Sequence, residues 1–269
     1  MISPMRFCNL ASGSSGNCTY IGDDHTHLCV DAGISGRRME SGLNEIGLSL
    51  SDMAGILITH EHSDHIGGLS VISRRYGIPI YATGGTINGI RSIPRFRDIP
   101  SGLFHEIRAE EPFHLGDFHI HPIRISHDAA DPVAFRFENG GHSMAVMTDL
   151  GTYDETVIKS LSGAEALMLE ANHDVRMLQA GPYPYYLKKR ILSDRGHLSN
   201  ESCGKLLARL LHEKLKAVIL GHLSQENNMA ELAYETVRSE IAMSDSRFRF
   251  SDFPIFVARR NERTELLTV

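Results

Sequence analysis

An apolar strand leads directly into a histidine-rich corner in the stretch Ile56-Leu57-Ile58-Thr59-His60-Glu61-His62-Ser63-Asp64-His65. The apolar residues predict a short buried strand, and Asp64 is expected to cap the helix that follows. At such a corner, His60 and His62 can converge on one metal ion, and Asp64 and His65 on a second. Imidazole nitrogens and a carboxylate oxygen suit zinc, iron or manganese. The alternative is a polar surface loop that is rich in histidine by chance.

Three further candidate ligands follow apolar strands elsewhere in the chain: His127, Asp149 and His222. Loops at strand ends gather at one edge of a sheet, where functional side chains are usually displayed. Each residue alone could be an ordinary polar residue at a strand end. Together with the corner they make seven donor side chains. The sequence therefore predicts a centre for two divalent metal ions.

The rest of the chain alternates between short apolar strands and amphipathic helices. Strand patterns dominate the first third and residues 103–147, and helical patterns flank both stretches. Two strand-rich stretches wrapped by helices predict an α/β fold built as a four-layer αββα sandwich. No Pro-, Ser- or Gly-rich linker divides the 269 residues, so we expect a single domain over residues 1–269.

Overall charge limits the kinds of partner. The formal net charge is −6, with 22% charged and 42% hydrophobic residues, as in an ordinary globular protein. Contact with nucleic acid would therefore need a local basic patch or metal ions. No apolar run approaches the roughly 20 residues that span a bilayer, so no membrane partner is expected.

The beginning of the chain and its cysteines predict a cytoplasmic location. The first ten residues, MISPMRFCNL, do not resemble a secretory signal. The four cysteines form no CxxC pair, which favours buried thiols in a reducing compartment. The sequence leaves the oligomeric state open.

In chain order, these residues resemble the five motifs of metallo-β-lactamase-fold hydrolases. The matching residues are Asp31, His60-x-His62-x-Asp64-His65, His127, Asp149 and His222. The resemblance implies that His60, His62 and His127 hold one ion. It implies that Asp64, His65 and His222 hold the other, and that Asp149 bridges both. Asp31 would orient the His60 loop by hydrogen bonds, unless it is only a turn residue at a strand end.

Four further runs narrow the resemblance to one branch of this family. They are LASGSSGN at 10–17, DAG at 31–33, GHLSN at 196–200 and HLSQENN at 222–228. Together they look like the YycJ/WalJ branch, which is related in site architecture to ribonuclease Z. The resemblance implies a DNA exonuclease that acts from 5′ ends through a hydroxide bridging two divalent metal ions.

Other functions stay open because a fold does not determine a reaction. The alternatives are an RNA phosphodiesterase, a small-molecule hydrolase such as a glyoxalase-type thioesterase, and a module that binds metal without turnover. The segment between Asp149 and His222 is too short for the long nucleic-acid clamp of some RNA-processing relatives. This disfavours a structured RNA substrate, and the complete ligand set disfavours an inactive module.

The leaving alkoxide of a phosphodiester needs a proton. His197, in the GHLSN run, is the candidate general acid, or else a donor to a non-bridging phosphoryl oxygen. Its resemblance to a histidine outside the metal ligands of ribonuclease Z supports this role, and Glu170 is expected to orient it. Asp64 is the second predicted catalytic residue. The alternatives are a histidine at the start of a helix and a structural carboxylate.

Two segments are candidate substrate contacts. The predicted contact residues are Ser14, Ser15, Asn17, Tyr185, Lys188 and Lys189. Backbone N–H groups of the Ser- and Gly-rich loop could hold a phosphate, or the loop could be a structural turn. The second segment, 181–190, places tyrosines beside cations, a combination that binds single strands. Its alternative is a helix face with a solvated basic edge.

Overall fold

The computed structural model describes residues 3–269 and contains two mixed β-sheets. Met1 and Ile2, which belong to the expected domain, lie outside the described residues. The first sheet takes the strands β1 (Arg6–Ala11), β2 (Cys18–Gly22), β3 (His27–Val30), β4 (Gly55–Leu57), β5 (Ile80–Thr83) and β6 (Phe104–Ile107). The second takes β7 (Phe113–Leu115), β8 (Phe118–Arg124), β9 (Val133–Asn139), β10 (His142–Met147), β11 (Ala166–Glu170), β12 (Ala217–Gly221) and β13 (Ile255–Val257). A last strand, β14 (Leu267–Thr268), returns to pair with β1.

Both sheets follow one plan, an antiparallel meander that continues as parallel strands. In the first sheet β1 to β3 pair antiparallel and β3 to β6 parallel. In the second sheet β7 to β10 pair antiparallel and β10 to β13 parallel. Because parallel strands share a direction, their carboxyl ends meet at one edge of each sheet.

The helices of the described residues are α1 (Gly36–Asn44), α2 (Ser63–Ile66), α3 (Leu69–Tyr76), α4 (Gly84–Ser92), α5 (Glu155–Leu161), α6 (Val175–Ala180), α7 (Tyr185–Ile191), α8 (Asn200–Leu210) and α9 (Ala230–Met243). Short 3-10 helices occupy Leu50–Asp52, Pro94–Phe96, Ser101–Leu103 and Phe250–Asp252. Within residues 3–269, no helix combines the length and the apolar character needed to cross a membrane. All four cysteines are buried free thiols.

Three buried apolar clusters separate four layers. One joins the first sheet to α1–α4 through residues such as Met39 and Ile72. A second lies between the two sheets and includes Phe7 and Phe135. The third joins the second sheet to α5, α8 and α9, as at Leu206. Fully burying one such side chain contributes roughly 1.5–3 kcal/mol. The predicted αββα sandwich is confirmed.

Local sequence explains how the elements begin and end. The side chain of Ser35 accepts a hydrogen bond from the backbone N–H of Arg38 and caps α1. Helix α3 ends at Gly77, which has a φ of 66° and therefore suits a residue without Cβ. Strands β10–β12 are buried almost throughout, as expected for parallel strands covered on both faces.

The helix after the histidine-rich corner differs from the expectation. It is split at Gly67 and Gly68, where the loop after β3 passes close to the helix backbone. The approach is so close that a Cβ on Gly68 would lie 2.1 Å from the carbonyl oxygen of Ile34. The expected helix cap at Asp64 is also wrong. His62 occupies the cap position, and Asp64 lies in the first turn of α2.

Candidate metal centre

The candidate ligands lie in segments that follow the carboxyl ends of strands in both sheets. His60 follows β4 of the first sheet, whereas His127, Asp149 and His222 follow β8, β10 and β12 of the second. Since the sheets pack face to face, these loops meet at one end of the sandwich. The fold thus brings together residues that are far apart in the sequence.

Three strand ends carry an unusual backbone. Asp31, Asp149 and His222 have φ angles of 63°, 59° and 57°, in the left-handed region that side chains other than glycine rarely adopt. Such conformations cost on the order of 1–3 kcal/mol and persist only where surrounding contacts enforce them. Glu110 is the other non-glycine residue with positive φ in residues 3–269, so these conformations concentrate at the centre.

A first donor group consists of His60, His62 and His127. One ligand atom from each lies within 4.8 Å of the others. Nδ1 of His62 lies 3.3 Å from Nε2 of His127, and the rings of His60 and His62 meet edge to face. Three imidazoles at this spacing can bind one metal ion.

A second donor group consists of Asp64, His65 and His222. Oδ2 of Asp64 lies 3.5 Å from Nε2 of His65 and 3.5 Å from Nε2 of His222. Asp149 lies between the two groups. Its Oδ2 is 3.2 Å from Nε2 of His65, and its Oδ1 is 3.9 Å from Nε2 of His127. The structure brings all seven predicted ligands together.

In the four buried histidines of the candidate ligand set, a protein acceptor determines which ring nitrogen is left free. Each Nδ1 is engaged, which leaves Nε2 for the centre. The pairs are His60 with Thr59 Oγ1 at 3.0 Å, His65 with Asp31 Oδ2 at 2.7 Å, His127 with the Gly196 carbonyl oxygen at 3.2 Å, and His222 with Glu170 Oε1 at 2.7 Å. This pattern is typical of histidines that bind metal.

Two buried atoms indicate that the donor set fits a metal ion. Nε2 of His60 and Oδ2 of Asp149 are buried without a hydrogen-bond partner among residues 3–269. A buried polar atom without a partner is costly, typically 1–3 kcal/mol. Both atoms belong to candidate ligands, and a divalent ion there would satisfy them.

The electrostatics of the centre favour a cation. Burial lowers the pKa of His60 and His127, which keeps both rings neutral and able to donate a lone pair. Burial would also lower the pKa of His222, but Asp149 and the other nearby carboxylates outweigh it and raise this pKa to about 10. The carboxylates therefore attract positive charge, which a metal ion would supply by displacing protons.

Asp31 connects two parts of the corner. Its Oδ1 accepts the backbone N–H of Thr59 at 2.9 Å, and its Oδ2 accepts Nδ1 of His65 at 2.7 Å. The hydroxyl of Thr59 also lies 2.9 Å from Oδ2. Asp31 is thus placed to orient the His60 loop and the His65 ring, although no atom of it belongs to a donor group.

Glu170, completely buried, links His197 to the centre. Its Oε1 accepts Nδ1 of His197 at 2.8 Å, while its Oε2 accepts the backbone N–H groups of Leu150 and Leu198. Burial alone would raise the pKa of Glu170, but His197 and His222 together lower it to about 2. Glu170, His197, His222 and Asp149 lie close enough to be considered a metal cluster. We interpret them as a hydrogen-bonded group instead, because both Nδ1 atoms already donate to Glu170.

A cleft of about 200 Å³ opens over the centre. Its walls are formed by Ser14, His62, Asp64, Asp149, Asn172, Tyr183, Leu187, Arg190, Ile191, His197, His222 and Ser224. The ring of His197 is 13% exposed and faces this space. With Nδ1 held by Glu170, Nε2 is the ring nitrogen left for a substrate.

The segment 181–190, with its tyrosines and cations, contacts the cleft through residues other than those expected. Helix α7 turns Leu187, Arg190 and Ile191 toward the cleft. Tyr185, Lys188 and Lys189 are absent from the walls: Tyr185 is 82% exposed, and Nζ of Lys188 donates to the carbonyl oxygen of Gln179. The physical reason is helical periodicity, which places these three residues on other faces of α7.

The Ser- and Gly-rich loop also differs from the expectation. Only Ser14 reaches the cleft, and Ser15 packs near Arg260, whose Nη1 lies 3.4 Å from its Oγ. Asn17 is buried; its Oδ1 accepts the N–H of Gly13, and its backbone N–H donates to the carbonyl oxygen of Asp64. Asn17 therefore holds the ligand loop in place and does not face the cleft.

Several residues of the site were not singled out from the sequence, although Tyr183 and Arg190 lie in the predicted segment 181–190. Tyr183 and Arg190 line the cleft, and Thr59 bonds both Asp31 and His60. Helical periodicity over residues 185–191 could have indicated Arg190, whereas Tyr183 precedes α7 and no pattern singled it out. Thr59 lay inside the ligand run and was overlooked because its hydroxyl acts only through partners distant in sequence.

The chain is similar to known proteins in both sequence and fold. Residues 26–254 match the beta-lactamase superfamily domain. The chain is 40% identical over 233 residues to exodeoxyribonuclease YycJ of Bacillus anthracis, covering 87% of this chain and 88% of that one. It is 40% identical over 240 residues to exodeoxyribonuclease WalJ of Streptococcus pneumoniae, covering 89% of both chains. The crystal structure of the metallo-beta-lactamase fold protein YhfI from Bacillus subtilis superposes with a TM-score of 0.73 at 15% identity, over 99% of this chain and 100% of that one.

The fold and the donor groups define a metal-dependent hydrolase that uses a divalent metal. The chain belongs to the metallo-β-lactamase superfamily and, within it, to the family of YycJ and WalJ. The family resemblance predicted from the sequence is confirmed.

Proposed function

We propose that this hydrolase is a two-metal exodeoxyribonuclease that removes nucleotides from the 5′ ends of DNA. The observation that carries the proposal is the pair of three-residue donor groups with Asp149 between them. Two ions at such a spacing suit the in-line displacement at a phosphodiester. We further propose that residues 1–269 act as one domain in the cytoplasm.

The chain's own residues have distinct tasks in this mechanism. One ion would be held by His60, His62 and His127, and the other by Asp64, His65 and His222, with Asp149 shared. Divalent ions in such a site supply a nucleophile near neutral pH and neutralise charge on the phosphate. Asp31 and Glu170 keep ligand rings oriented through their Nδ1 atoms.

His197 supplies the proton to the departing alkoxide. Glu170 accepts its Nδ1–H, and for this step the ring carries a second proton on Nε2, which faces the cleft as the donor. A general acid at this position typically contributes about 10²–10⁴ in rate. The same ring could instead donate to a non-bridging oxygen, which a change of leaving group distinguishes.

Local features of the cleft support DNA as the substrate despite the net negative charge. Arg190, Tyr183 and Ser14 line the same cleft as the candidate ligands, and the guanidinium of Arg190 is paired with the carboxylate of Asp128. A cation and an aromatic ring in one cleft suit a phosphate and a stacked base. The names of YycJ and WalJ, both exodeoxyribonucleases, point to the same substrate class.

The test is digestion of DNA and RNA of one sequence, labelled at either end, by metal-free protein supplied with Zn²⁺, Mn²⁺ or Fe²⁺ in turn. We expect DNA with a labelled 5′ end to release labelled mononucleotide first. Circular single-stranded DNA should resist. Asp149→Asn should abolish turnover, while His25→Ala, which changes an exposed loop histidine, should leave it unchanged.

Other results of the same digestion would contradict the proposal. Release from 3′ ends would overturn the polarity, and cleavage of circles would overturn the exonuclease. Preferential cleavage of RNA would assign an RNA phosphodiesterase. Hydrolysis of a thioester such as a glutathione thioester, with neither nucleic acid cleaved, would assign a small-molecule hydrolase.

A further inference from the structure

We propose that the outer face of the second sheet carries a separate metal site that binds one zinc-like ion through His119, His121 and Glu138. The three residues lie outside the catalytic centre. His121 and His127 are six positions apart, at most about 20 Å at 3.3 Å per residue, and none of the three residues belongs to a donor group of the centre.

Strand geometry places the three side chains on one face. His119 and His121 are two residues apart on β8, so both point to the same side of the sheet. Glu138 on β9 pairs directly with His119 in the register, and Arg136 pairs with His121. The backbone of two neighbouring strands therefore brings two imidazoles and one carboxylate together.

The donor atoms already have the spacing of zinc ligands. Nε2 of His121 lies 3.0 Å from Nδ1 of His119 and 3.4 Å from Oε2 of Glu138. Nδ1 of His119 lies 3.7 Å from the same oxygen. Zinc–nitrogen bonds of about 2.0–2.1 Å in a tetrahedron separate neighbouring ligand atoms by about 3.3–3.4 Å. The three atoms thus form one face of a coordination tetrahedron with only small adjustments.

Arg136 orients the carboxylate. Its Nε donates to Oε1 of Glu138 at 3.0 Å, which leaves Oε2 for the histidines. Its Nη1 donates to the carbonyl oxygens of Ser160 and Ser162, at 3.0 and 2.7 Å. The guanidinium is therefore fixed at the end of α5. A carboxylate held in this way is a pre-positioned ligand.

The site is open to ions from solvent. The three side chains are about one-third exposed, at 37%, 32% and 38%. A cavity of about 220 Å³ adjoins them and is lined by His121, Glu138 and Arg136, among others. It leaves room for water at the remaining coordination position.

The alternative for this cluster is a hydrogen bond between the two histidines without metal. Equilibrium dialysis of the full chain against Zn²⁺ distinguishes the two. We expect His121→Ala and Glu138→Gln each to bind one zinc ion fewer than the wild type. The matched control His25→Ala should bind as many ions as the wild type, and DNA hydrolysis should be unchanged in all three variants.

Glu138→Gln keeps the size of the side chain, so it serves where His121→Ala perturbs the strand; circular dichroism verifies the fold of each. In Co²⁺-loaded protein, the visible absorption should fall by the share of one tetrahedral site in both variants. Equal zinc stoichiometry in the wild type and in folded Glu138→Gln and His121→Ala would overturn the proposal and leave a histidine–histidine hydrogen bond.

Discussion

Oε1 of Glu170 lies 2.8 Å from Nδ1 of His197 and also 2.7 Å from Nδ1 of His222. One carboxylate oxygen thus orients a ring that faces the cleft and a ring of the second donor group. It couples the proposed general acid to the proposed ligand set. A substitution of Glu170 should therefore change both metal affinity and rate, whereas a substitution of His197 should change the rate alone.

Replacement of His197 by alanine should preserve metal content and reduce the rate of DNA hydrolysis by roughly 100- to 10,000-fold, the scale of a lost general acid. The loss should shrink on a p-nitrophenyl phosphodiester, whose leaving group departs without protonation. Metal analysis and kcat on both substrates measure this. An equal loss on both substrates would assign the ring to stabilising phosphoryl oxygens. Full activity on DNA would remove His197 from the chemistry.

Glu170→Gln should lower both metal affinity and kcat, because the neutral amide holds the two Nδ1–H groups more weakly. We expect metal affinity to fall by roughly 10- to 100-fold. A chelator competition measures it. The matched control is Glu165→Gln. Glu165 also accepts a hydrogen bond from a histidine Nδ1, that of His142, at 2.7 Å, but both residues lie outside the centre. Equal effects of both variants would reduce Glu170 to a general structural role.

Asp64→Ala should remove one metal ion from the protein and abolish activity, since Asp64 joins His65 and His222 in the second donor group. Metal content relative to wild type is the readout. In wild-type crystals, anomalous scattering should locate two ions in the centre at about 3.5–4 Å from each other. A single ion there, with Asp149 remote from it, would refute the two-metal centre.

Asp31→Asn should weaken metal binding by roughly 10- to 100-fold without removing a ligand. Asparagine tolerates the left-handed backbone at this position, so the change tests the charge that holds Thr59 and His65. Glu110→Gln is the control, since Glu110 has a φ of 65° outside the centre. Unchanged metal affinity in Asp31→Asn would exclude Asp31 from orienting the ligands.

Arg190→Ala should raise the KM for DNA several-fold, because Arg190 lines the cleft, whereas Lys189→Ala should have little effect. Each substitution removes one positive charge from the same helix, and Arg190→Gln serves as a second variant because Arg190→Ala also leaves the Asp128 carboxylate unpaired near His127. Steady-state kinetics at two salt concentrations provide the measurement. If both variants lose affinity equally, the whole basic segment binds DNA, as the sequence alone suggested.

The sequence alone predicted the layers and the candidate donor residues. Short apolar runs predicted buried strands such as β4, β11 and β12, and alternation over residues 118–125 predicted β8. The corner from His60 to His65 could be recognised as a candidate metal site because metal binding requires particular residue types within a few positions. The break at Gly67 and Gly68 could not be predicted, since it results from the close approach of the loop that contains Ile34.

Only the tertiary structure decided which atoms face one another. Glu170 meets His197 and His222 across 27 and 52 positions of sequence, and this contact selects the ring nitrogen that each histidine presents. In the same way, the packing of α7 turned Arg190 toward the cleft and Lys189 away from it. Local sequence records the residue types and the periodicity of an element. The partner of each face depends on how distant elements pack, and a short sequence pattern carries no information about that.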